Sequence, residues 1–566
     1  MIIKIINNYF TMKKNHYLLL LMLVCFTGFS QIETTTYRGA FAPAPATAWT
    51  DSWTNFDPQN TIYPTPNVDV TTNIINNTTW TTGNTYLLKG QIYVKNGATL
   101  TIQPGVIVRA DNTAIGAGLF VTKGSKINAI GTASSPIVFT SDKAVGQRAG
   151  GDWGGIILLG KASYNINGGI NNIEGIASSA DTEYGGGATP DDNDNSGSLK
   201  YVRIEYAGYV YALNQEINGL TLGAVGRGTL IDYVQVSFAN DDSFEWFGGS
   251  VNCKHLIAYR GVDDDFDTDN GFSGKVQYIL GIKDPQIGDP TFANATGAST
   301  SEGFESDNNS TSSAASPFTS AIFSNCTLIG PTGRVALPNG GLLYGAHKRA
   351  ARLRRNTQLK VFNSLFLDFK EGLFIDGTTT EANAFTGNTL KWKNNILAGT
   401  QTTSLVLTST TAANATTLAN WYSNGGNSTI SSSNNILTAL YNTADAQIYT
   451  GLDYRPTATS IAASGADFTD PNLVAVLGST SFEQSNIASS VYPNPSNTNF
   501  KLAFSSVNAD EVKVSTYDIT GRTIETKTIS YNNIQNYEFG SSYNAGIYIV
   551  VVSQGSARKS FKIVKN

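Results

Sequence analysis

The chain has 566 residues, only 14% of them charged, with 38 basic against 43 acidic, 55 glycines and 26 tyrosines. This near-neutral balance excludes the basic footprint of a nucleic-acid-binding protein, and the low charge excludes a disordered chain held open by repulsion. The length exceeds one ordinary domain, so a large body with a smaller module is expected.

At the N-terminus Lys13 and Lys14 precede the apolar run from Tyr17 to Phe26, and small residues lead on to Ser30. That order reads as a secretory signal peptide over residues 1–30. The run is too short to span a bilayer, so no transmembrane segment is expected in the mature chain. Cys253 and Cys326 then remain, and they read as two small buried hydrophobes, since two cysteines are no disulfide framework. Residues 31–80 are rich in Pro, Ala and Thr around Trp49, Trp53 and Phe56. They read as an extension or cap packed over the start of the main body.

Short strands with period-two alternation recur over residues 81–466. Leu87, Ile92, Val94, Leu100, Ile102, Val106 and Val108 share one side, and Asn96-Gly97 and Pro104-Gly105 mark turns. LIDYVQVSFAN, NCKHLIAYRG, KVQYILGIKD, FSNCTLIG, LKVFNSLFLDF and LKWKNNILAG vary one theme. Asn325, Asn363, Asn394 and Asn395 stand just before the second apolar group. Asn tolerates the left-handed backbone, and its amide can bond the coil above or below. No unit can bury its own face, so the units must stack. The fold class expected is all-β, a right-handed parallel β-helix, with residues 168–197 and 289–318 as long loops. The basic cluster HKRAARLRR, His347 to Arg355, is read as a solvated coil face, and no nucleic acid is expected as partner.

After a connector at 467–488 the texture changes. Residues 489–566 read as a small β-sandwich with NPSN, DITG and SQGS turns. Val491-Tyr492-Pro493-Asn494-Pro495, Tyr517 to Arg522, Gly546 to Val550 and the Lys559 to Lys565 end occur there in order. This module resembles the type A C-terminal sorting domain of the Bacteroidetes type IX secretion system. The resemblance implies Sec export, recognition of residues 489–566 by the outer-membrane secretion machinery, and release or surface attachment. The passenger resembles secreted Bacteroidetes β-helix proteins through Gly151 to Gly160, Asp241 to Gly249 (DDSFEWFGG) and the acidic run at Asp263. That resemblance brings no catalytic residues with it.

The sharpest local feature is Asp263-Asp264-Asp265-Phe266-Asp267-Thr268-Asp269-Asn270-Gly271. Asp263, Asp265, Asp267 and Asp269 alternate as in a calcium loop, where closely spaced oxygens wrap a hard cation. Gly271 is one place late for an EF-hand, and Val276 stands where its acidic ligand belongs. A Ca2+ site of other geometry, with Asp241 and Asp242 added, competes with an ordinary Asp-rich turn. Asp192 to Gly197 is a weaker candidate of the same kind. Phe244 and Trp246 beside acidic turns form a candidate platform for a polysaccharide or matrix ligand, against the alternative that both pack inward. A calcium-dependent lyase would draw on Lys254 or Arg260 as base, and a glycoside hydrolase on Asp241, Asp242 and Glu245. A stiff surface spacer needs no site at all. A zinc peptidase is disfavoured, because His16, His255 and His347 are the only histidines and no HExxH is present.

Overall fold

The computed structural model describes residues 32–212, 215–288, 301–332, 347–408, 411–441, 450–473, 487–506, 511–518, 522–554 and 557–566. The signal-peptide reading over 1–30 lies outside the described residues, as does most of the connector. The chain divides into two compact units, Met1–Val474 and Ala475–Asn566.

The larger unit is a parallel β-helix. Among the described residues most of its strands assemble into one 17-stranded and one 10-stranded sheet, in which every pairing is parallel, and three two-stranded antiparallel pairs stand apart from them. In chain order the central coils run β1 (Leu220–Gly223), β2 (Leu230–Ser237), β3 (Phe244–Phe247), β4 (Asn252–Tyr259) and β5 (Phe266–Asp269). They continue through β6 (Lys275–Ile282), β7 (Ser301–Ser306), β8 (Ile322–Ile329), β9 (His347–Arg354) and β10 (Glu371–Asp376). The odd-numbered strands and β10 build the smaller sheet, and β2, β4, β6 and β8 the larger.

Each long strand of the larger sheet turns halfway at a left-handed residue: Tyr233 at φ 56°, His255 at 51°, Tyr278 at 60°, Asn325 at 56°. In the next two coils the same corner is Asn363 and then Asn394, where the strand breaks in two. An L-residue other than Asn resists this conformation by about 1–2 kcal/mol, so stacking must compensate at the aromatic corners. Tyr233 and His255 stack at 4.1 Å and 13°, and His255 and Tyr278 at 5.1 Å and 16°. At the asparagine corners amides replace rings: Asn394 Nδ2 donates to Asn363 Oδ1 at 2.7 Å.

Inside the coils, in-register stacking lines up like residues. Phe244 opposes Phe266, which opposes Phe304, with ring centroids 5.4 and 5.8 Å apart. Trp246 stacks on Phe272 at 5.2 Å. The helices α1 (Thr378–Phe385) and α2 (Ala412–Asn424) meet through Phe385 and Trp421, and Leu418 and Tyr422 of α2 join the core. Cys253 and Cys326 are both buried free thiols.

Residues 32–63 run along the side of the solenoid. Trp49 lies 5.1 Å from His255, Trp53 lies 5.8 Å from Tyr233, and Glu33 Oε1 is 2.5 Å from Lys254 Nζ. The corner rings explain this course, because a stacked aromatic ladder left open to water would be a large apolar patch.

The smaller unit is antiparallel. One sheet joins strands Ile487–Tyr492, Phe500–Ser506 and Glu538–Phe539, and the other joins Thr523–Ile529, Val512–Asp518, Gly546–Gln554 and Ala557–Lys565. Phe500, Leu502, Val514, Val550, Val552 and Ile563 share its core.

Two stability measurements test these contacts. Asn363 is buried at φ 53°, and its amide also bonds the backbone O and N of Asp467 at 2.9 and 2.8 Å. Asn363→Ala is expected to cost about 2–3 kcal/mol from the backbone conformation and the lost bonds, read as a lower urea midpoint. Burial raises the Asp470 carboxyl pKa, but hydrogen bonds from Lys393, Asn472 and Lys391 outweigh it and hold the group well below its usual value of 3.8. A depressed folded pKa gives stability that is present above the unfolded value and is lost as pH falls through it toward the folded one. Asp470→Asn should therefore lower the melting temperature at neutral pH, and the difference from the native chain should close progressively below about pH 4.

Candidate functional site

Strands β3, β5 and β7 send aromatic side chains inward, so period-two geometry sends the residue after each outward. Glu245 opposes Asp267, Asp267 opposes Glu305, and Glu305 opposes Arg352 of β9. The residue entering each strand adds a second ladder: Asp264 N donates to Asp242 Oδ1 at 2.9 Å, Glu302 N donates to Asp264 Oδ1, and Arg349 N donates to Glu302 Oε2 at 2.8 Å. Asp269 and Asp307 stand at the strand ends. One outer face thus carries eight carboxylates.

Three groups on this face have ligand oxygens within 4.8 Å of one another: Asp241, Asp242 and Asp263; Asp242, Glu245 and Asp267; Asp264, Asp267 and Glu305. Two oxygens on opposite sides of a calcium ion lie about 4.6–5.2 Å apart, given bonds of about 2.3–2.6 Å. These clusters of acidic residues have the spacing to hold a divalent cation. Asp242, Glu245 and Asp264 are buried, and Asp241, Asp263, Asp267 and Asp269 are half-buried.

Electrostatics divides the face in two. On the far side Arg349 Nη1 meets Glu302 Oε1 at 2.7 Å, Arg354 Nε meets Asp307 Oδ1 at 2.8 Å, Arg354 also meets Glu305, and Arg355 Nη1 meets Asp307 Oδ2 at 2.6 Å. On the near side, Asp242, Glu245, Asp264, Asp267 and Asp269 take part in none of the ion pairs among the described residues. Burial first, and then the neighbouring carboxylates, push all five acids upward. Two oxygens aimed into this region lack a hydrogen-bond partner, Asp267 Oδ1 and Asn218 Oδ1, while Asn218 Nδ2 donates to Glu245 Oε2. The donor set is oxygen throughout, which suits a hard cation.

The structure separates several candidates that the sequence places together. Asp265 leaves the quartet of Asp263, Asp267 and Asp269: it turns into the coil, where its carboxylate lies 3.2 Å from Lys283 Nζ with both side chains fully buried. Only glycine fits opposite, since a Cβ on Gly281 would sit 2.6 Å from Asp265 Oδ2. Burial pushes the Asp265 carboxyl up to about 6 against the pull of Lys283. Phe244 and Trp246 are fully buried in the coil and present no ring to a ligand. Lys254 pairs with Glu33, and Arg260 pairs with Asp284 at 2.5 Å and lies over the Phe238 ring at 4.7 Å. Both follow the larger sheet and its exit turn, away from the carboxylate ladder. Asp192 and Asp194 accept backbone N–H groups of Ser163 and Lys161, fastening a loop. The cluster from His347 to Arg355 is a strand whose arginines are paired with acids, not a solvated face.

Glu302, Glu305 and Asp307 were missed because 289–318 reads as one polar loop. A signal was present: Asp242-Ser243-Phe244-Glu245, Asp264-Asp265-Phe266-Asp267 and Glu302-Gly303-Phe304-Glu305 repeat one acidic-x-Phe-acidic pattern, which Arg349-Ala350-Ala351-Arg352 answers with opposite charge.

Among the described residues no helix is long and apolar enough to cross a membrane. Comparison with curated proteins found no match. Residues 490–566 match the secretion system C-terminal sorting domain. This module marks the chain as a secreted or surface protein exported by the type IX system. Residues 72–438 match the pectate-lyase like beta helix domain. With that match spanning well over half of its length, and with the coils just described, the chain belongs to the pectate-lyase-like β-helix domain family.

Proposed function

We propose that this surface protein binds extracellular polysaccharide in a calcium-dependent way, with the ion held on the carboxylate face of β3, β5 and β7. The observation that carries this reading is the set of five acids, Asp242, Glu245, Asp264, Asp267 and Asp269, that no basic group pairs among the described residues. Calcium accepts six to eight oxygens in irregular geometry, whereas magnesium demands a near-ideal octahedron. Glu245, Asp242 and Asp267, with Asn218 Oδ1 beside them, supply the inner oxygens. The half-buried Asp241 and Asp263 mark the outer side, where sugar hydroxyls or carboxylates complete the coordination.

A lyase reading draws on the family's name and on the arginines one coil away. It needs an unprotonated base. Burial lowers the Arg354 pKa, but Glu305 and Asp307 outweigh it and hold the guanidinium more firmly charged than usual. Lys254 and Arg260 are engaged elsewhere. Hydrolysis with inversion needs two carboxyl groups about 6.5–9.5 Å apart, and oxygens of Asp242 and Glu245 lie within 4.8 Å. Retention tolerates a spacing of about 5–5.5 Å but needs one of the pair ionised as nucleophile, whereas burial pushes both carboxyls upward. Binding is therefore the better supported function.

Calcium titration of the mature chain by calorimetry tests the ion. Asp267→Asn is expected to weaken calcium roughly tenfold or more, about 1.4 kcal/mol at least. The same variant should melt higher than the native chain in EDTA, because a repulsive charge is gone, and lower at saturating calcium. At about a hundred times Kd, the ion adds about 2.7 kcal/mol to the native chain. Absence of calcium binding overturns the proposal. A polysaccharide and matrix-protein array with and without calcium tests the ligand, and release of unsaturated uronides from any member would replace binding with the lyase reading.

A further inference from the structure

The coil that ends the acidic ladder brings Arg352, Arg354 and Arg355 to one cavity of about 230 Å³, together with Asp376, Gly377 and Thr379. Period-two geometry puts Arg352 and Arg354 on the outer face of β9, and Arg355 follows them at φ 49°. All three are within reach of a ligand, since their side chains are 23%, 18% and 39% exposed, and Thr379 is exposed as well.

The acids that pair with these arginines hold them without closing the cavity. Glu305 and Asp307 lie behind Arg354, with side chains 9% and 5% exposed, and neither lines the cavity. Arg355 donates to Asp307 Oδ2 at 2.6 Å through Nη1 alone among the described residues. Arg352 gives Nε and Nη2 to one oxygen of Asp376, at 3.0 and 2.8 Å. A guanidinium carries five N–H donors in a fixed fork, so each arginine keeps donors beyond those its acids take. The charged groups of the lining are three guanidiniums against one carboxylate, Asp376. Helix α1 also starts here, at Gly377, with no side chain capping it, and its dipole adds to the preference for an anion.

We propose that this cavity binds one tetrahedral oxyanion ester, a sulfate or phosphate group carried on a polysaccharide. The assignment rests on the polysaccharide-binding reading above for the polymer, and it adds the class of substituent taken one coil beyond the ion. A planar carboxylate is satisfied by a single guanidinium fork. Three guanidiniums around one cavity suit a group with three terminal oxygens. The volume lies below the range of about 300–1,000 Å³ that encloses a small molecule, so the cavity takes the charged substituent and leaves the sugar ring outside.

The test uses the mature chain and four polymers on one neutral backbone: dextran, carboxymethyl dextran, dextran sulfate and dextran phosphate. Calorimetry in EDTA measures each of them without a contribution from calcium. Arg355→Gln removes one guanidinium while Arg354 still pairs with Asp307, and Thr379→Glu sets a negative charge at an exposed lining position. Dextran sulfate, dextran phosphate or both are expected to bind the native chain and to weaken roughly tenfold or more in each variant, and the tighter of the two names the ester. Thr379→Glu should leave calcium affinity unchanged. Binding of dextran or carboxymethyl dextran as tightly as the esters overturns the tetrahedral assignment, and equal binding of the esters by the native chain and both variants overturns the site. Failure of both esters to bind overturns it too. The calcium titration decides the ion by itself, so the two readings fail separately.

Discussion

Parallel in-register stacking is the constraint from which the rest follows. Adjacent strands lie about 4.8 Å apart, so whatever a coil places at one position meets the same position of the next coil at that distance. For Phe244, Phe266 and Phe304 this is favourable, and the rings fill the core. For Asn363 and Asn394 it is favourable again, each amide bonding the next. For Glu245, Asp267 and Glu305 it is not. Two like charges about 4 Å apart repel by about 4 kcal/mol at an effective dielectric of about 20. A ladder of acids is a liability that the fold itself amplifies.

The protein answers that liability by two means. From Glu302 onward the next coil is inverted in charge, and Arg349, Arg352 and Arg354 of β9 neutralise the third rung and Asp376 beyond it. At Asp242, Glu245, Asp264 and Asp267 the rungs on both sides are acidic or neutral. Burial there, and then the neighbouring acids, raise the carboxyls, with Arg354 opposing this in part at Asp267 alone, and protons or a cation must do what the arginines do one coil later. The boundary between the two regimes falls at Glu305, which sits in a cation-spaced cluster and also meets Arg354.

The architecture was legible in the sequence because coil and corner leave periodic marks. The alternation in NCKHLIAYRG and KVQYILGIKD and the recurrent asparagines gave the strands and the left-handed turns. The acidic corners at Asp241 and Asp263 were legible too, but their geometry was not. Alternation tells which residues share a side of a strand; it cannot tell which side faces in when both are covered, and so Phe244 and Trp246 could be read as a platform. Asp265 shares its spacing with Asp267 and Asp269, but it lies one step before the strand, where the backbone turns and a lysine waits inside the coil. Strands β7 and β9 were hidden for a different reason. Gly303 and the serines around it are turn formers, and a run of arginines resembles a solvated surface until its acidic partners on the preceding coil are known.

The position of the site also follows from what the other faces have to do. The larger sheet carries the left-handed corner with its rings, and Trp49 and Trp53 cover that corner while Glu33, Gln277 and Tyr278 pin the covering segment. A face occupied by the chain's own N-terminal segment has no room for a ligand. On the outer face of the smaller sheet the central rungs differ in kind: the row that begins at Tyr93, Phe120 and Ile157 and ends beyond Arg352 at Phe374 is acidic at Glu245, Asp267 and Glu305, and no segment of residues 32–63 is hydrogen-bonded or ion-paired to those three acids among the described residues. Stacked rings select a covering peptide, and stacked carboxylates select a cation. The two ladders are built by one repeating backbone, and the side chain at each position decides whether that surface is closed by the protein itself or left for something from outside.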